Sequence, residues 1–246
     1  MSARPDLVLV HGGEHAGDCW DLTVAELFRQ APELRILAVD LPGHGSKPGN
    51  LATATIGDWV DSVVADIEEA GLGDVVIVGH SMAGVTVPGV VAKLGSARVR
   101  EMILATAFVP PQGSAIVDTL NGPLAWFARR AASIGKPMKI PTVAARYAFC
   151  NGMTRQQRAF TLSRLHAESG RIPGEPVDRS DLPHDVPRTW ILTTRDRALS
   201  PEAQRRSIEA LGGVQTVITI PACHEVMVSH PEMLARILVE RCRLRH

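Results

Sequence analysis

Short apolar runs recur along the chain and predict the strands of a sheet. Val and Ile are frequent in these runs, which are almost continuously apolar rather than alternating with polar residues. Runs of this kind are typical of strands that are buried on both faces, as in a parallel sheet. We predict six strands, at 7–10, 35–40, 74–79, 99–108, 189–194 and 214–220.

Helical segments lie between most of these runs. They are predicted at 21–30, 55–70, 83–94, 201–211 and 231–241. Alternating strands and helices predict an α/β fold, with a mostly parallel central sheet flanked by helices on both sides. Pro88 falls inside one predicted helix, where it removes an amide donor, and we expect a kink there.

The interval 110–187 breaks this alternation. It has no strand-like run, yet it holds nine of the 17 prolines and five of the ten aromatic residues. Because so long a segment is not a bare loop in a compact domain, we predict a mostly helical cap. The predicted organisation is a core domain made of 1–109 and 188–246, with the cap, 110–187, inserted into it.

The aromatic residues of the cap are candidates for the wall of a substrate pocket above the sheet. The alternative is that they only form a small core within the cap itself. We expect Gly12, after the first strand, to border the same pocket. The predicted pocket residues are Gly12, Trp126, Phe127, Tyr147 and Phe149.

The charge balance excludes several classes of partner. Lys plus Arg and Asp plus Glu both number 26, so nothing indicates a general attraction to nucleic acid or to anionic membranes. The N-terminal apolar run is too short for a signal peptide or a membrane span, which leads us to expect a cytoplasmic protein. A small-molecule ester is the expected partner, and a homodimer is left open.

Four cysteines are spread widely along the chain. They are Cys19, Cys150, Cys223 and Cys242, with no CxxC pair among them. This spacing indicates neither a disulfide framework nor a zinc site, so we expect free thiols.

The segment DVVIVGHSMAGV is the most informative part of the chain. A buried strand runs into Ser81 and then into a helix, which places the hydroxyl on a sharp turn at the carboxyl edge of the sheet. Such a turn needs small residues two positions before and two positions after the serine. Gly79 and Ala83 occupy those positions. Ser81 is therefore the predicted nucleophile.

A serine nucleophile needs a base and an acid partner. His224 follows the last predicted strand and a short turn, from which a loop can return over the sheet edge. Asp196 stands just past the strand TWILTT, which gives the chain order Ser, Asp, His. The predicted catalytic residues are Ser81, Asp196 and His224.

Acyl transfer also requires donors for the oxyanion of the tetrahedral intermediate. The N–H of Met82, directly after the nucleophile, is one candidate, and the N–H of Gly13, after the first strand, is the other. The glycines of that loop can also serve only to make a tight turn. No phosphate-binding glycine motif is present, and no metal or cofactor is implied.

With these motifs in place, the chain resembles the small-cap branch of the α/β-hydrolase superfamily. That branch holds plant methylesterases, hydroxynitrile lyases and many bacterial esterases. The resemblance implies the same five roles, for Ser81, Asp196, His224, Gly13 and Met82. It rests on LVLVHGGEHAGDCW (7–20), DLPGHG (40–45), GHSMAG (79–84), RDRALSPE (195–202) and PACHEV (221–226).

Two positions favour hydrolysis over cyanide chemistry within this branch. The lyases carry Thr beside the loop histidine and Lys after the catalytic histidine, where this chain has Gly12 and Glu225. The resemblance therefore implies a serine hydrolase that cleaves a carboxylic ester, such as a methyl ester or a lactone, through an acyl-enzyme.

Two other functions stay open at this point. One is a thioesterase or tailoring esterase of a polyketide or peptide pathway. Discrete thioesterases of that type resemble GHSMGA at the turn, whereas this chain has GHSMAG. The other is a receptor-like protein that binds a ligand and hydrolyses weakly, which the complete set of Ser, Asp and His argues against.

Overall fold

A six-stranded parallel sheet forms the centre of the protein. The computed structural model describes residues 4–120 and 122–245, except for the side chains at 122–124, 127 and 131. All five pairings between neighbouring strands are parallel, and the strand order is β2-β1-β3-β4-β5-β6. The strands are β1 (Asp6–Val10), β2 (Ile36–Val39), β3 (Val75–His80), β4 (Val99–Ala105), β5 (Arg188–Thr193) and β6 (Thr216–Ile220).

The six predicted strands are confirmed, and their burial explains the patterns in the sequence. Every residue of β3 and β5 is buried, as continuous apolar runs predict. The edge strand β6 instead alternates between exposed and partly buried positions before Ile220. A strand paired on one side only can leave one face to solvent, which accounts for that alternation.

Helices cover both faces of the sheet. Along β3, Val75 and Ile77 pack into one core and Val76 and Val78 into the other, because successive side chains of a strand point to opposite faces. The helices are α1 (Asp21–Gln30), α2 (Ile56–Glu69), α3 (Val87–Leu94), α4 (Ile116–Thr119), α5 (Gly122–Ile134), α6 (Thr142–Phe149), α7 (Arg155–Ser163), α8 (Pro201–Ala210), α9 (Val226–Ser229) and α10 (Pro231–Leu244). The prediction of an α/β fold with a parallel sheet between helices is confirmed.

The helix predicted at 83–94 is present and ends at Leu94, but it begins later than predicted, and the predicted kink was wrong. A short 3-10 helix, Ser81–Gly84, follows β3, and α3 begins only at Val87. Pro88 therefore lies in the first turn of α3, where the backbone N–H has no partner within a helix in any case. Proline is compatible with that position, so no kink is required.

Strands β4 and β5 are neighbours in the sheet although a long segment separates them in sequence. That segment contains α4 to α7, a 3-10 helix at Ile172–Gly174, and one isolated antiparallel bridge between Met138 and Glu168. It is thus an insertion between two adjacent strands. The division into two domains at 110 and 187 stays a prediction.

Two expectations about the whole chain concern thiols and membranes. Cys19, Cys150, Cys223 and Cys242 are all free, as expected, and the structure shows that all four are buried. Among the described residues, no helix combines the length and the apolar character that crossing a bilayer requires.

Candidate active site

Ser81 lies at the abrupt change from β3 to the 3-10 helix. Its φ of 53° is in the left-handed region, which is rare for a residue with a side chain and indicates a strained turn. The turn is held from the side by the N–H of Phe108, which donates to the Ser81 carbonyl oxygen at 2.9 Å. Local geometry therefore presents the hydroxyl at the carboxyl edge of the sheet.

The glycines around this turn are required by close packing. A Cβ on Gly79 would lie 2.7 Å from Cγ2 of Val87, in the first residue of α3. A Cβ on Gly12 would lie 2.6 Å from Cβ of Ser81. Gly12 is therefore explained by the close approach of the loop after β1 (11–16, the β1 loop) to the turn at Ser81. It is not among the residues that line the cavity beside Ser81.

A chain of hydrogen bonds joins Ser81, His224 and Asp196. Nδ1 of His224 lies 2.7 Å from Oδ2 of Asp196, and Nε2 lies 2.8 Å from Oγ of Ser81. Because an ionised carboxylate can only accept, Nδ1 carries the proton and Nε2 is left to accept from the serine hydroxyl. The structure thus brings together the three residues that were predicted from separate strand ends.

Electrostatics favour this arrangement. Burial opposes the charged imidazolium of His224, but the Asp196 carboxylate outweighs burial and raises the pKa of His224 above its usual value. Burial likewise opposes ionisation of Asp196, yet His224 and the surrounding donors lower the pKa of that carboxyl. The pair is therefore arranged as an ionised acid beside a strengthened base.

Four further donors surround the Asp196 carboxylate. Its Oδ1 accepts from the N–H groups of Ala198 at 2.7 Å and Leu199 at 2.8 Å. Its Oδ2 accepts from the hydroxyls of Thr106 and Thr193, the latter at 3.2 Å. Thr106 comes directly after β4, and Thr193 is the last residue of β5. Their place at strand ends is a signal in the sequence that our prediction of the site did not use.

Two other histidines near the site have structural partners. The Nδ1–H of His11 donates to the carbonyl of Gly12 at 2.8 Å, and Nε2 accepts from the N–H of Leu41 at 3.0 Å. Burial lowers the pKa of His11 to about 3, which keeps the ring neutral. Nε2 of His80 lies 3.0 Å from the carbonyl oxygen of His224, and this contact helps to hold the loop that carries His224.

A mostly apolar cavity of about 120 Å³ opens beside the hydroxyl of Ser81. Gly13 and Met82 are on its wall together with Ser81 and His224. Their N–H groups as oxyanion donors stay a prediction. Apolar side chains of the inserted segment, and of the short stretch between β4 and that segment, complete the wall. They include Phe108, Ile116, Leu120, Met138, Ile140 and Phe149.

Of the aromatic residues predicted to line the pocket, some lie at the cavity and others on the surface. Phe149 lines the cavity, and its ring stacks on that of His224 with centroids 5.4 Å apart. Trp126 and Tyr147 lie on outer faces of their helices instead, 69% and 66% exposed, so neither supports a pocket role. The side chain of Phe127 lies outside the described residues.

Sequence reasoning missed two acidic residues on the cavity wall. Glu14 follows Gly13 in the β1 loop, whereas Glu168 comes from the inserted segment. The N–H of Glu14 donates to Oε2 of Glu168 at 2.8 Å. No local pattern predicts this contact, because it depends on how the inserted segment packs over the sheet.

His80, His224 and Glu225 are residue types that can bind a metal ion, but the ring nitrogens of His224 already have hydrogen-bond partners. Donor atoms of His80, His224 and Glu225 lie within 4.8 Å of one another. Both ring nitrogens of His224 are already bonded to Ser81 and Asp196. The imidazole therefore has no lone pair free for a metal in this arrangement.

Comparisons with known proteins agree with the fold. A sequence model described as "Alpha/beta hydrolase family" matches residues 7–237. A pyrethroid hydrolase of Sphingobium wenxiniae is 25% identical over 96% of this chain and 86% of its own length. Esterase PIR7B of Oryza sativa subsp. japonica is 26% identical over 97% of this chain and 96% of its own. A carbendazim hydrolyzing esterase of Nocardioides sp. is 33% identical, but over 47% of each chain.

Solved structures show the same architecture. An extracellular alpha/beta-hydrolase from a Paenibacillus species superposes with a TM-score of 0.85 at 22% identity, covering 96% of this chain and 98% of that one. A pyrethroid hydrolase of Sphingobium faniae gives a TM-score of 0.78 at 23% identity, covering 97% of both chains. At these identities the likeness concerns the fold.

Proposed function

We propose that this chain, which belongs to the alpha/beta hydrolase family, cleaves carboxylic esters through an acyl-enzyme on Ser81. The observation that carries the proposal is the pair of hydrogen bonds that His224 makes, to Ser81 at 2.8 Å and to Asp196 at 2.7 Å. An activated serine of this kind performs acyl transfer in several unrelated folds.

In the proposed reaction, His224 takes the proton of the Ser81 hydroxyl as Oγ attacks the ester carbonyl carbon. The carbonyl oxygen becomes an oxyanion, which the N–H groups of Gly13 and Met82 stabilise. The C–O bond to the alcohol then breaks, and the imidazolium of His224 protonates the departing alcohol. His224 then takes a proton from water as the water oxygen attacks the acyl carbon; the bond from that carbon to Oγ breaks, the carboxylic acid leaves, and the imidazolium returns the proton to Oγ of Ser81. Asp196 stays ionised throughout and stabilises the imidazolium.

The cavity favours a small or medium substrate that is largely apolar. Its volume is about 120 Å³ and its wall is mostly apolar. A methyl ester or a lactone fits this description. The similarity to a pyrethroid hydrolase and two esterases supports ester cleavage. The proposed reaction needs no cofactor.

The test is replacement of the nucleophile. We expect Ser81→Ala to abolish turnover of p-nitrophenyl acetate and butyrate, and to abolish labelling by a fluorophosphonate probe, with an unchanged circular dichroism spectrum. Ser163→Ala, which alters an exposed serine at the end of α7, is the matched control and should keep full activity. Turnover that survives Ser81→Ala would reject Ser81 as the nucleophile. Activity on acyl carrier protein thioesters, without any on esters, would favour a thioesterase.

A further inference from the structure

Glu14 ties the β1 loop to the inserted segment. Its φ of 60° places the backbone in the left-handed region. The Glu14 carbonyl accepts from the N–H of His166 at 2.7 Å, and its side-chain Oε1 accepts from the N–H of Ile140 at 2.7 Å. With the bond from its own N–H to Glu168, three hydrogen bonds fix this residue at the cavity wall.

One oxygen of this carboxyl group has no hydrogen-bond partner in the part of the chain that the structure describes. Glu14 is only 9% exposed and lines the cavity with Gly13, Ser81 and Met82. Its Oε2 is buried and makes no hydrogen bond to any described residue. A buried polar atom without a partner costs free energy, which a ligand with a complementary group recovers.

The surroundings of Glu14 determine whether its Oε2 donates or accepts a hydrogen bond, and therefore which ligand group is complementary to it. Burial raises the pKa of Glu14 to about 8, the bond from Ile140 and the charge of Lys139 oppose this, and the charge of Glu168 adds to it. Near neutral pH the group is therefore a carboxylic acid. Because Oε1 already accepts a hydrogen bond, the proton resides on Oε2, which becomes a donor.

Glu168, the other acid of the wall, has no comparable free atom. Its Oε1 accepts from the N–H of Ser169 at 2.5 Å. Its Oε2 accepts from the N–H of Glu14 and lies 3.2 Å from Nε2 of His44. The two acids are thus not equivalent: each oxygen of Glu168 has a partner, whereas Oε2 of Glu14 has none among the described residues.

We propose that Glu14 is a specificity residue whose Oε2 donates a hydrogen bond to a second oxygen of the substrate, in the chain that fills the cavity. The substrate class is then an ester that carries an ether or carbonyl oxygen in addition to the reacting carboxyl group. This inference deepens the proposed ester hydrolysis and rests on it for the identity of the substrate.

The experiment measures binding, which needs no turnover. The probes are isomeric unbranched ketones of one chain length, in which an ether oxygen occupies in turn each internal chain position that is not bonded to the carbonyl carbon. A ketone can enter the cavity from either end, so the side of the ester that faces Glu14 need not be known. Dissociation constants are measured by ligand-observed NMR at about pH 6.5 and about pH 9.5, on either side of the Glu14 pKa.

We expect one isomer to bind about three- to tenfold more tightly than the others at the lower pH, as one hydrogen bond warrants. At the higher pH Glu14 is ionised and can no longer donate, so the preference should disappear. Equal binding of all isomers at the lower pH would overturn the proposal.

Variants assign the preference to its residue. Glu14→Gln keeps an acceptor for the N–H of Ile140 and a neutral donor that does not titrate, so its preference should persist at both pH values. Glu14→Leu should lose the preference, and Glu69→Gln, which changes an exposed acid at the end of α2, is the control and should keep it. A preference that survives Glu14→Leu, that is lost in Glu69→Gln, or that still falls with pH in Glu14→Gln contradicts the proposal. If Glu14→Leu does not fold, Glu14→Gln decides alone.

Failure of this inference is distinguishable from failure of the proposed function. Turnover of p-nitrophenyl esters combined with equal binding of the isomers would reject the role of Glu14 alone. A clear isomer preference in a protein that hydrolyses no ester would reject ester hydrolysis alone.

Discussion

At the scale of single residues, the site depends on polar groups that are buried but paired. His224 is almost fully buried, and its charge is tolerated because Asp196 lies against it. Asp196 in turn stays ionised because backbone and hydroxyl donors surround it. Each group therefore owes its protonation state to a neighbour rather than to solvent.

Asp196→Asn tests this dependence. The amide keeps the size of the side chain but removes the charge that opposes burial of the imidazolium, and we expect kcat to fall about 10³- to 10⁴-fold. The pKa of His224 should also fall, because burial is no longer offset. Since the base must be neutral to act, the acid limb of the remaining kcat/KM profile should move to lower pH.

Asp185→Asn is the control for that prediction. Asp185 is an exposed residue shortly before β5, and its replacement should change neither kcat nor the pH profile. An acid limb that stays in place in Asp196→Asn would show that the titrating group is not His224.

At the scale of elements, the nucleophile turn and the β1 loop are packed too closely to admit a side chain between them. The sequence predicts Ser81 on such a turn because an apolar strand, small residues and a helical segment follow in order. The helix begins only at Val87, and Pro88, from which a kink was predicted, instead lies in its first turn, where proline is a helix-start signal. The packing distance between the two loops is a tertiary property that strand periodicity does not contain.

Gly12→Ala tests that packing. The added methyl group would lie 2.6 Å from Cβ of Ser81, so the β1 loop or the nucleophile turn must shift. We expect the free energy of unfolding to fall by about 1–3 kcal/mol, as in other overpacked sites, and kcat/KM for p-nitrophenyl butyrate to fall with it.

The matched control is Gly73→Ala. A Cβ at Gly73 meets no heavy atom within 4 Å, and the backbone is not in the left-handed region. We expect unchanged activity and a free energy of unfolding that is unchanged or raised by less than about 1 kcal/mol. Equal effects of the two substitutions in a urea titration would contradict the packing argument.

At the scale of the whole molecule, the insertion between β4 and β5 limits what a sequence can predict. Strand ends locate Ser81, Asp196 and His224 because parallel strands share one carboxyl edge. Residues of the insertion do not lie at strand ends, so the sequence does not indicate which of them face the cavity. Trp126 and Tyr147, which are exposed, could therefore not be distinguished from Phe149, which lines the cavity. Glu14 and Glu168 meet only once the insertion is folded over the sheet.

The stability of the protein should depend on pH through Glu14, the buried acid that connects the β1 loop to the inserted segment. The pKa of Glu14 is about 8 in the folded protein, above its ordinary value of 4.5. Folding is therefore favoured most below the lower value, and this contribution is lost as the pH rises through about 8. We expect Glu14→Gln to gain in melting temperature relative to the natural protein as the pH rises from about 5 to about 8.

Glu69→Gln, an exposed position at the end of α2, provides the control and should give a constant difference over the same range. Melting curves of Glu14→Gln and of the natural protein that run parallel between those pH values would show that Glu14 does not titrate with folding.

The bond from the Phe108 amide to the Ser81 carbonyl has a mechanical consequence. Phe108 lies where the chain leaves β4 for the insertion, and its side chain also forms part of the cavity wall. A ligand that fills the cavity therefore contacts the residue whose amide holds the turn at Ser81, and we expect its position to affect the orientation of the Ser81 hydroxyl.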